Sequence, residues 1–149
     1  WDPSPVEHMA ALAGFTALDY SSDGASSADA AIRADASQLV VIRYGVADTV
    51  HGLAPAQFAA HIARLVDEAR ALGKRVLLTG LTHAGDVDTA PLDAAMRDCA
   101  VRAGVTFVDV HALPFGPGDL ADGIHPAEGY SRRVGEAIAA AIAAIFRAQ

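Results

Sequence analysis

The chain has 149 residues, with 11 Lys and Arg against 18 Asp and Glu and a formal net charge of −7; this acidic balance argues against nucleic acid or an anionic membrane surface as a partner. Apolar residues make up 52% of the chain and charged residues 19%, which indicates one folded domain and not a disordered segment. The longest apolar run, residues 137–146, is too short to cross a bilayer, so no membrane span is predicted.

The composition leaves the compartment open. The single cysteine, Cys99, excludes an internal disulfide but fits a secreted, a periplasmic or a cytoplasmic protein. Because the chain begins at Trp1 and not at Met, we expect a further segment upstream of it.

The first 44 residues predict two short helices and two strands. Apolar positions at helical spacing predict a helix over 6–12, followed by a strand over 15–20 and a modest helix over 29–35. Residues 38–44 (QLVVIRY) form a continuous β-branched and apolar run bounded by turn residues. Such a run predicts a strand that is buried on both faces of a sheet.

Three helices and two strands follow in alternation. This order predicts crossover connections and a parallel sheet in a three-layer α/β sandwich. Ligands of such sheets bind outside the carboxyl ends of the strands, so we expect a site in the loops that follow them. The predicted elements are helices over 55–72, 91–103 and 127–148 and strands over 75–80 and 105–110, and the candidate loops are 20–27, 45–48, 80–88 and 111–125.

The segment Asp122-Gly123-Ile124-His125-Pro126 precedes the last predicted helix. A carboxylate three residues ahead of an imidazole can fold back to hold one ring nitrogen, so that the other nitrogen acts as a base. We expect Pro126 to start the helix and to place the imidazole at its mouth. For an isolated Asp-x-x-His, a loop Asp with a capping His is the commoner interpretation.

These five residues together resemble the last block of the SGNH (GDSL-type) hydrolases. The resemblance implies a flavodoxin-like sheet and hydrolysis of acyl esters, thioesters or O-acetyl groups by a Ser-His-Asp mechanism. It implies that His125 is the general base and Asp122 its orienting acid. It implies no metal and no organic cofactor, and a small acyl ester or an acetylated glycan as the substrate.

Two earlier segments resemble the oxyanion blocks of the same family. Residues 23–27 (DGASS) resemble the second block, which implies that the backbone N–H of Gly24 faces the developing oxyanion. Residues 45–48 (GVAD) resemble the third block, G-x-N-D. This match implies that Gly45 and Asp48 lie near the site, and that Ala47 stands where the family has an Asn that donates to the oxyanion.

The chain departs from the family in two places. The G-D-S block with the nucleophilic serine is missing, and Ala47 replaces the Asn in a sequence that contains no Asn. Loss of one such donor typically costs about 100- to 1000-fold in turnover, and loss of the nucleophile costs more. We therefore predict that this chain alone is inactive and that the serine comes from an upstream segment.

The missing block also carries the first strand of the family's sheet. In a sheet of order 2-1-3-4-5, that strand lies between 15–20 and 38–44. Its loss would leave buried backbone groups unpaired, at about 1–3 kcal/mol each. We expect an upstream segment to supply it; a strand donated by another chain and a rearranged four-stranded sheet are the alternatives.

Other interpretations of the sequence remain open. Ala47 favours a relative that has lost catalysis and serves as a ligand-binding or scaffolding module. Ser21 and Ser22 lie on the predicted rim of the sheet, but serines before a helix are more typical of a cap. Residues 83–88 contain one His and two Asp without a recognised ligand spacing, so no metal site is predicted.

Overall fold

The computed structural model describes residues 32–34 and 36–147. The elements predicted over 6–12 and 15–20, most of the helix over 29–35, and Gly24 lie outside these residues. The described elements are β1 (Leu39–Ile42), α1 (Val46–Val50), α2 (Pro55–Ala71), β2 (Arg75–Thr79), α3 (Ala90–Ala103), β3 (Thr106–Val108) and α4 (Glu128–Arg147).

The three described strands form a parallel sheet in the order β1-β2-β3. Val41 of β1 pairs with Leu77 of β2, and Thr79 of β2 pairs with Val108 of β3. Each strand is joined to the next through helix, as a parallel pair requires. The predicted parallel α/β sheet is therefore confirmed, and the loops after the three strands meet at one edge of it.

Alternate side chains of β2 divide the core into two parts. Val76 and Leu78 pack with α2 and α3 on one face, and Leu77 packs with Tyr130 and Val134 of α4 on the other. The molecule thus has three layers, with helices on both sides of the sheet, as the alternating pattern predicted. Among the described residues, no helix has the combination of length and apolarity that a bilayer crossing requires.

The apolar residues of α2 recur at helical spacing, which predicts a single buried face. Phe58, Ile62, Leu65, Val66 and Ala69 are all buried. Leu72, the next apolar residue at this spacing, follows the end of the helix at Ala71 and is exposed. The following Gly73 has a φ of +72°; its N–H donates to Arg70 O and that of Lys74 donates to Ala69 O, which closes the helix.

The prediction that 38–44 is buried on both faces is wrong. Only Leu39–Ile42 form a strand, and Val41 is 38% exposed. Burial of a strand depends on its neighbours, and β1 is at the edge of the described sheet, with α4 packed chiefly against β2 and β3. The strand expected beyond β1 stays a prediction.

Candidate active site

The Asp122 and His125 side chains are carried by a short hairpin between β3 and α4. The N–H of Ala121 donates to His125 O at 2.8 Å, and the N–H of Ala127 donates to Asp119 O at 2.8 Å. Leu120 and Pro126 pair across the hairpin. Pro126 therefore belongs to the hairpin and precedes α4 by two residues, so the expectation that it starts the helix is wrong.

The hairpin turn is organised by the Asp122 carboxylate. Its Oδ1 accepts the N–H of Ile124 at 3.1 Å and that of His125 at 2.8 Å, while its Oδ2 lies 2.6 Å from His125 Nδ1. Gly123 makes this close return possible with a φ of +89°, which favours glycine. The contact between carboxylate and imidazole that the spacing predicts is present.

The electrostatics of the pair define which ring nitrogen carries the proton. The backbone N–H and then the imidazole of His125, followed by the N–H of Ile124, hold the pKa of Asp122 far below its ordinary value of 3.8. The carboxylate is therefore ionised at neutral pH and can only accept hydrogen bonds. Nδ1 must then be the donor, and in the neutral ring Nε2 is the nitrogen that can accept a proton.

The pair is accessible from solvent. The His125 side chain is 37% exposed and that of Asp122 is 56% exposed. Ile124, between them in sequence, is also an exposed apolar residue. Within the part of the chain that the structure describes, solvent therefore reaches both members of the pair.

The turn after β1 begins at Gly45, whose φ of +128° favours glycine. Its carbonyl accepts both the N–H and the hydroxyl of Thr49 at 2.8 Å, which starts α1. Asp48 is buried and Ala47 is half-buried within α1. The methyl group of Ala47 can donate no hydrogen bond, so this position lacks the side-chain donor expected from the resemblance.

Residues 81–85, which follow β2, contact both the Gly45 turn and the hairpin. A Cβ on Gly45 would lie 2.5 Å from the Leu81 side chain, and a Cβ on Gly85 would lie 2.1 Å from Gly123 O. Leu81 is held in turn by Asp93, whose Oδ1 accepts its N–H at 2.8 Å. The predicted site loops 45–48, 80–88 and 111–125 thus lie on the same rim of the sheet.

An aromatic and imidazole cluster on this rim was missed by the sequence interpretation. The His83 ring lies 4.2 Å from that of His111 and stacks at 4.4 Å on Phe115, which is 5.5 Å from Tyr130. His83 Nε2 donates to His111 O, and His111 Nδ1 donates to Leu81 O. Tyr130 is fully buried, and burial raises the pKa of its hydroxyl. Its spacing of four residues from Val134 was the one signal of that burial.

The acidic residues of these loops serve the local backbone. Asp88 accepts the N–H of Ala90, and Asp109 accepts that of Ala112 and binds Arg97 at 2.8 Å. Within residues 32–34 and 36–147, no three His, Cys, Asp or Glu side chains are arranged to hold a metal ion.

Comparisons with known proteins agree on one family. The model of the GDSL-like lipase/acylhydrolase family matches residues 3–132. Esterase TesA of Pseudomonas aeruginosa is 35% identical over 118 residues, a match that covers 73% of this chain but only 57% of the esterase. The chain therefore spans little more than half the length of that curated relative.

Two solved structures resemble the described fold. A crystal structure of TesA superposes with a TM-score of 0.69 at 29% identity, covering 82% of this chain and 72% of TesA. A putative lipolytic protein of the G-D-S-L family from Desulfitobacterium hafniense gives a TM-score of 0.72 at 17% identity, covering 81% and 75%. The second likeness shows the fold alone.

Proposed function

The chain belongs to the GDSL-like lipase/acylhydrolase family, and we propose that it forms the His-Asp part of a carboxyl-ester hydrolase with a Ser-His-Asp mechanism. The observation that carries the proposal is the 2.6 Å contact between Asp122 Oδ2 and His125 Nδ1 on an exposed rim of the sheet. The proposal requires a nucleophilic serine beyond the printed sequence, since no G-D-S block is found in it.

In the proposed reaction, the serine hydroxyl attacks the carbonyl carbon of the ester and its proton passes to His125 Nε2. The imidazolium is stabilised by the Asp122 carboxylate. Collapse of the tetrahedral intermediate breaks the bond to the leaving alcohol or thiol, which takes the proton from Nε2. Water then enters, His125 accepts its proton in the same way, and hydrolysis of the acyl-enzyme releases the acid and restores the serine.

The oxyanion would be stabilised by backbone N–H groups, with that of Gly24 as one donor. Ala47 supplies no side-chain donor, so we expect turnover about 100- to 1000-fold below that of a relative with Asn at this position. Acyl esters, thioesters and O-acetylated glycans are the substrate classes that this chemistry serves. The reaction needs no metal and no organic cofactor.

A catalytically inactive module that binds an ester or another ligand is the second candidate. Ala47 is the specific observation that favours it, because a family member without selection for turnover has no need of the Asn donor. The two candidates differ in the nucleophile: an intact upstream G-D-S block is required by the hydrolase and by no scaffolding role.

The test uses the protein with its upstream sequence. We expect hydrolysis of a short-chain p-nitrophenyl ester and covalent labelling by a fluorophosphonate, and we expect His125→Ala to reduce both by about 10⁴-fold or more. His51→Ala is the control, since His51 is another exposed histidine and lies outside the proposed machinery. Retained activity in His125→Ala would remove His125 from the mechanism, and absence of labelling in the parent protein would favour the inactive module.

A further inference from the structure

An ion pair ties the base of the hairpin to α4. Arg133 Nη2 lies 2.7 Å from Asp119 Oδ1. The other oxygen of Asp119 accepts the N–H of Gly116 at 2.9 Å, and its backbone carbonyl accepts that of Ala127 at 2.8 Å. Asp119 therefore binds Gly116 and Ala127, the two ends of a segment that contains the whole hairpin.

The Arg133 side chain is itself held in place by its surroundings. Its guanidinium lies 5.4 Å from the ring centre of the fully buried Tyr130, and Nη2 also donates to Pro114 O at 3.2 Å. Pro114 and Gly116 flank Phe115, the exposed aromatic residue that stacks on His83. One cation thus fixes the chain on both sides of the aromatic cluster as well as the start of the hairpin.

The neighbouring residue on α4 provides a contrast. Arg132 pairs with Glu128 one helical turn away at 2.8 Å, but their side chains are 68% and 88% exposed. Those of Arg133 and Asp119 are only 35% and 19% exposed. Exposed pairs within one helix contribute little, whereas the Arg133 pair joins two separate elements, and its guanidinium holds the pKa of Asp119 below its ordinary value.

We propose that Arg133 and Asp119 are positioning residues that orient the Asp122–His125 pair by anchoring the hairpin to α4. The inference rests on the proposed function of His125. Neither residue would touch the substrate. The contacts that hold Asp122 to His125 all lie within residues 122–125, so the anchor determines where this unit points.

The test is an NMR experiment on the protein with its upstream segment, and it needs no activity. We measure the His125 Nδ1–H resonance and the hydrogen exchange of the Ala121 and Ala127 amides. In Arg133→Ala we expect the resonance to be lost to exchange with water, and both amides to exchange at least about ten-fold faster, while amides of β2 keep their rates. Arg132→Ala should change none of these.

Two further variants test whether these changes come from the loss of the ion pair. Arg133→Lys should restore much of the protection, because only Nη2 of the guanidinium contacts Asp119 and Pro114. Should Arg133→Ala fail to fold, Asp119→Asn removes the charge from the other partner and leaves α4 unchanged. Wild-type amide exchange at Ala121 and Ala127 in the variant of either partner would overturn the proposal.

The outcomes separate this inference from the proposed function. If the wild-type chain shows no Nδ1–H resonance, the arrangement of Asp122 and His125 is in doubt, while amide exchange still tests the anchor. In the complete enzyme, loss of the anchor should lower kcat about ten-fold with KM little changed, and Arg133→Lys should recover it. A merely structural role would lower the amount of folded enzyme and leave kcat per folded molecule the same.

Discussion

The two ends of the sheet are built in different ways. At the amino end of the strands, the carboxyl ends of α2, α3 and α4 meet and are covered by cations: Arg70 donates to Ala103 O at 2.6 Å, and Arg75 donates to Ile145 O at 2.6 Å. At the carboxyl end, loops meet the amino ends of helices, and backbone groups of these loops are bound by the side chains of Asp93, Asp119 and Asp122.

The difference also accounts for a basic cavity at the amino end. A cavity of about 240 Å³ at the amino end is lined by Arg70, Lys74 and Arg75. The cations there bind main-chain carbonyls, with Lys74 Nζ donating to Ser37 O at 2.8 Å. Positive side chains at helix carboxyl ends offset the helix dipoles, so this end contributes stability. The proposed Asp122–His125 site lies at the opposite end.

Asp122→Asn tests the carboxyl end of the sheet. The Asn oxygen can still accept the N–H groups that form the turn, but its amide cannot accept from Nδ1–H, so the imidazole loses its tautomer and orientation. In the complete protein we expect kcat to fall by about 10⁴-fold, with the free energy of unfolding changed by less than about 1 kcal/mol. Ester hydrolysis measures the loss of kcat, and urea unfolding of the same sample measures the change in the free energy of unfolding. A large loss of stability would mean that the pair is structural.

Gly85 and Gly104 test the two ends with one substitution. Their φ values are +59° and +63°, but a Cβ on Gly85 would lie 2.1 Å from Gly123 O, whereas nothing lies within 4 Å of one on Gly104. We expect Gly104→Ala to cost about 1 kcal/mol for the backbone conformation alone. Gly85→Ala should cost about 2–4 kcal/mol, because the hairpin must also move.

Urea unfolding measures both costs, and the His125 Nδ1–H resonance shows whether the hairpin moved. Equal costs in the two glycine variants would show that the hairpin does not pack on residue 85.

Arg75→Ala tests the amino end. The substitution removes the hydrogen bond to Ile145 O and the contact of the guanidinium with the Phe146 ring, 5.1 Å away. We expect a loss of about 1–2 kcal/mol in the free energy of unfolding and no change in the His125 resonance. Arg75→Lys, which keeps a charge at the helix end, should lose less. A change at His125 would show that the two ends are coupled.

The sequence predicted the features that depend on local pattern. The buried face of α2 and the contact of Asp122 with His125 follow from the spacing of residues within one element or one turn, and the parallel sheet follows from the alternation of strands and helices. The burial of β1 could not be predicted in this way, since it depends on which strands and helices lie beside it. Val41 is apolar but partly exposed for that reason.

The contacts between distant segments could not be predicted from the sequence either. Asp119 and Arg133 are 14 positions apart and meet only because the hairpin folds back onto α4. His83 and His111 come together because β2 and β3 are neighbours. The roles proposed for Gly24 and Ala47 still depend on the family resemblance.

The closed set of bonds around Asp122 has a consequence for engineering. One carboxylate oxygen accepts the N–H groups of the turn and the other contacts the ring, and every partner comes from the next three positions. If the hairpin is grafted onto another parallel α/β scaffold, the imidazole should therefore keep its proton on Nδ1. The new scaffold would then need only an ion pair like that of Arg133 to orient the hairpin.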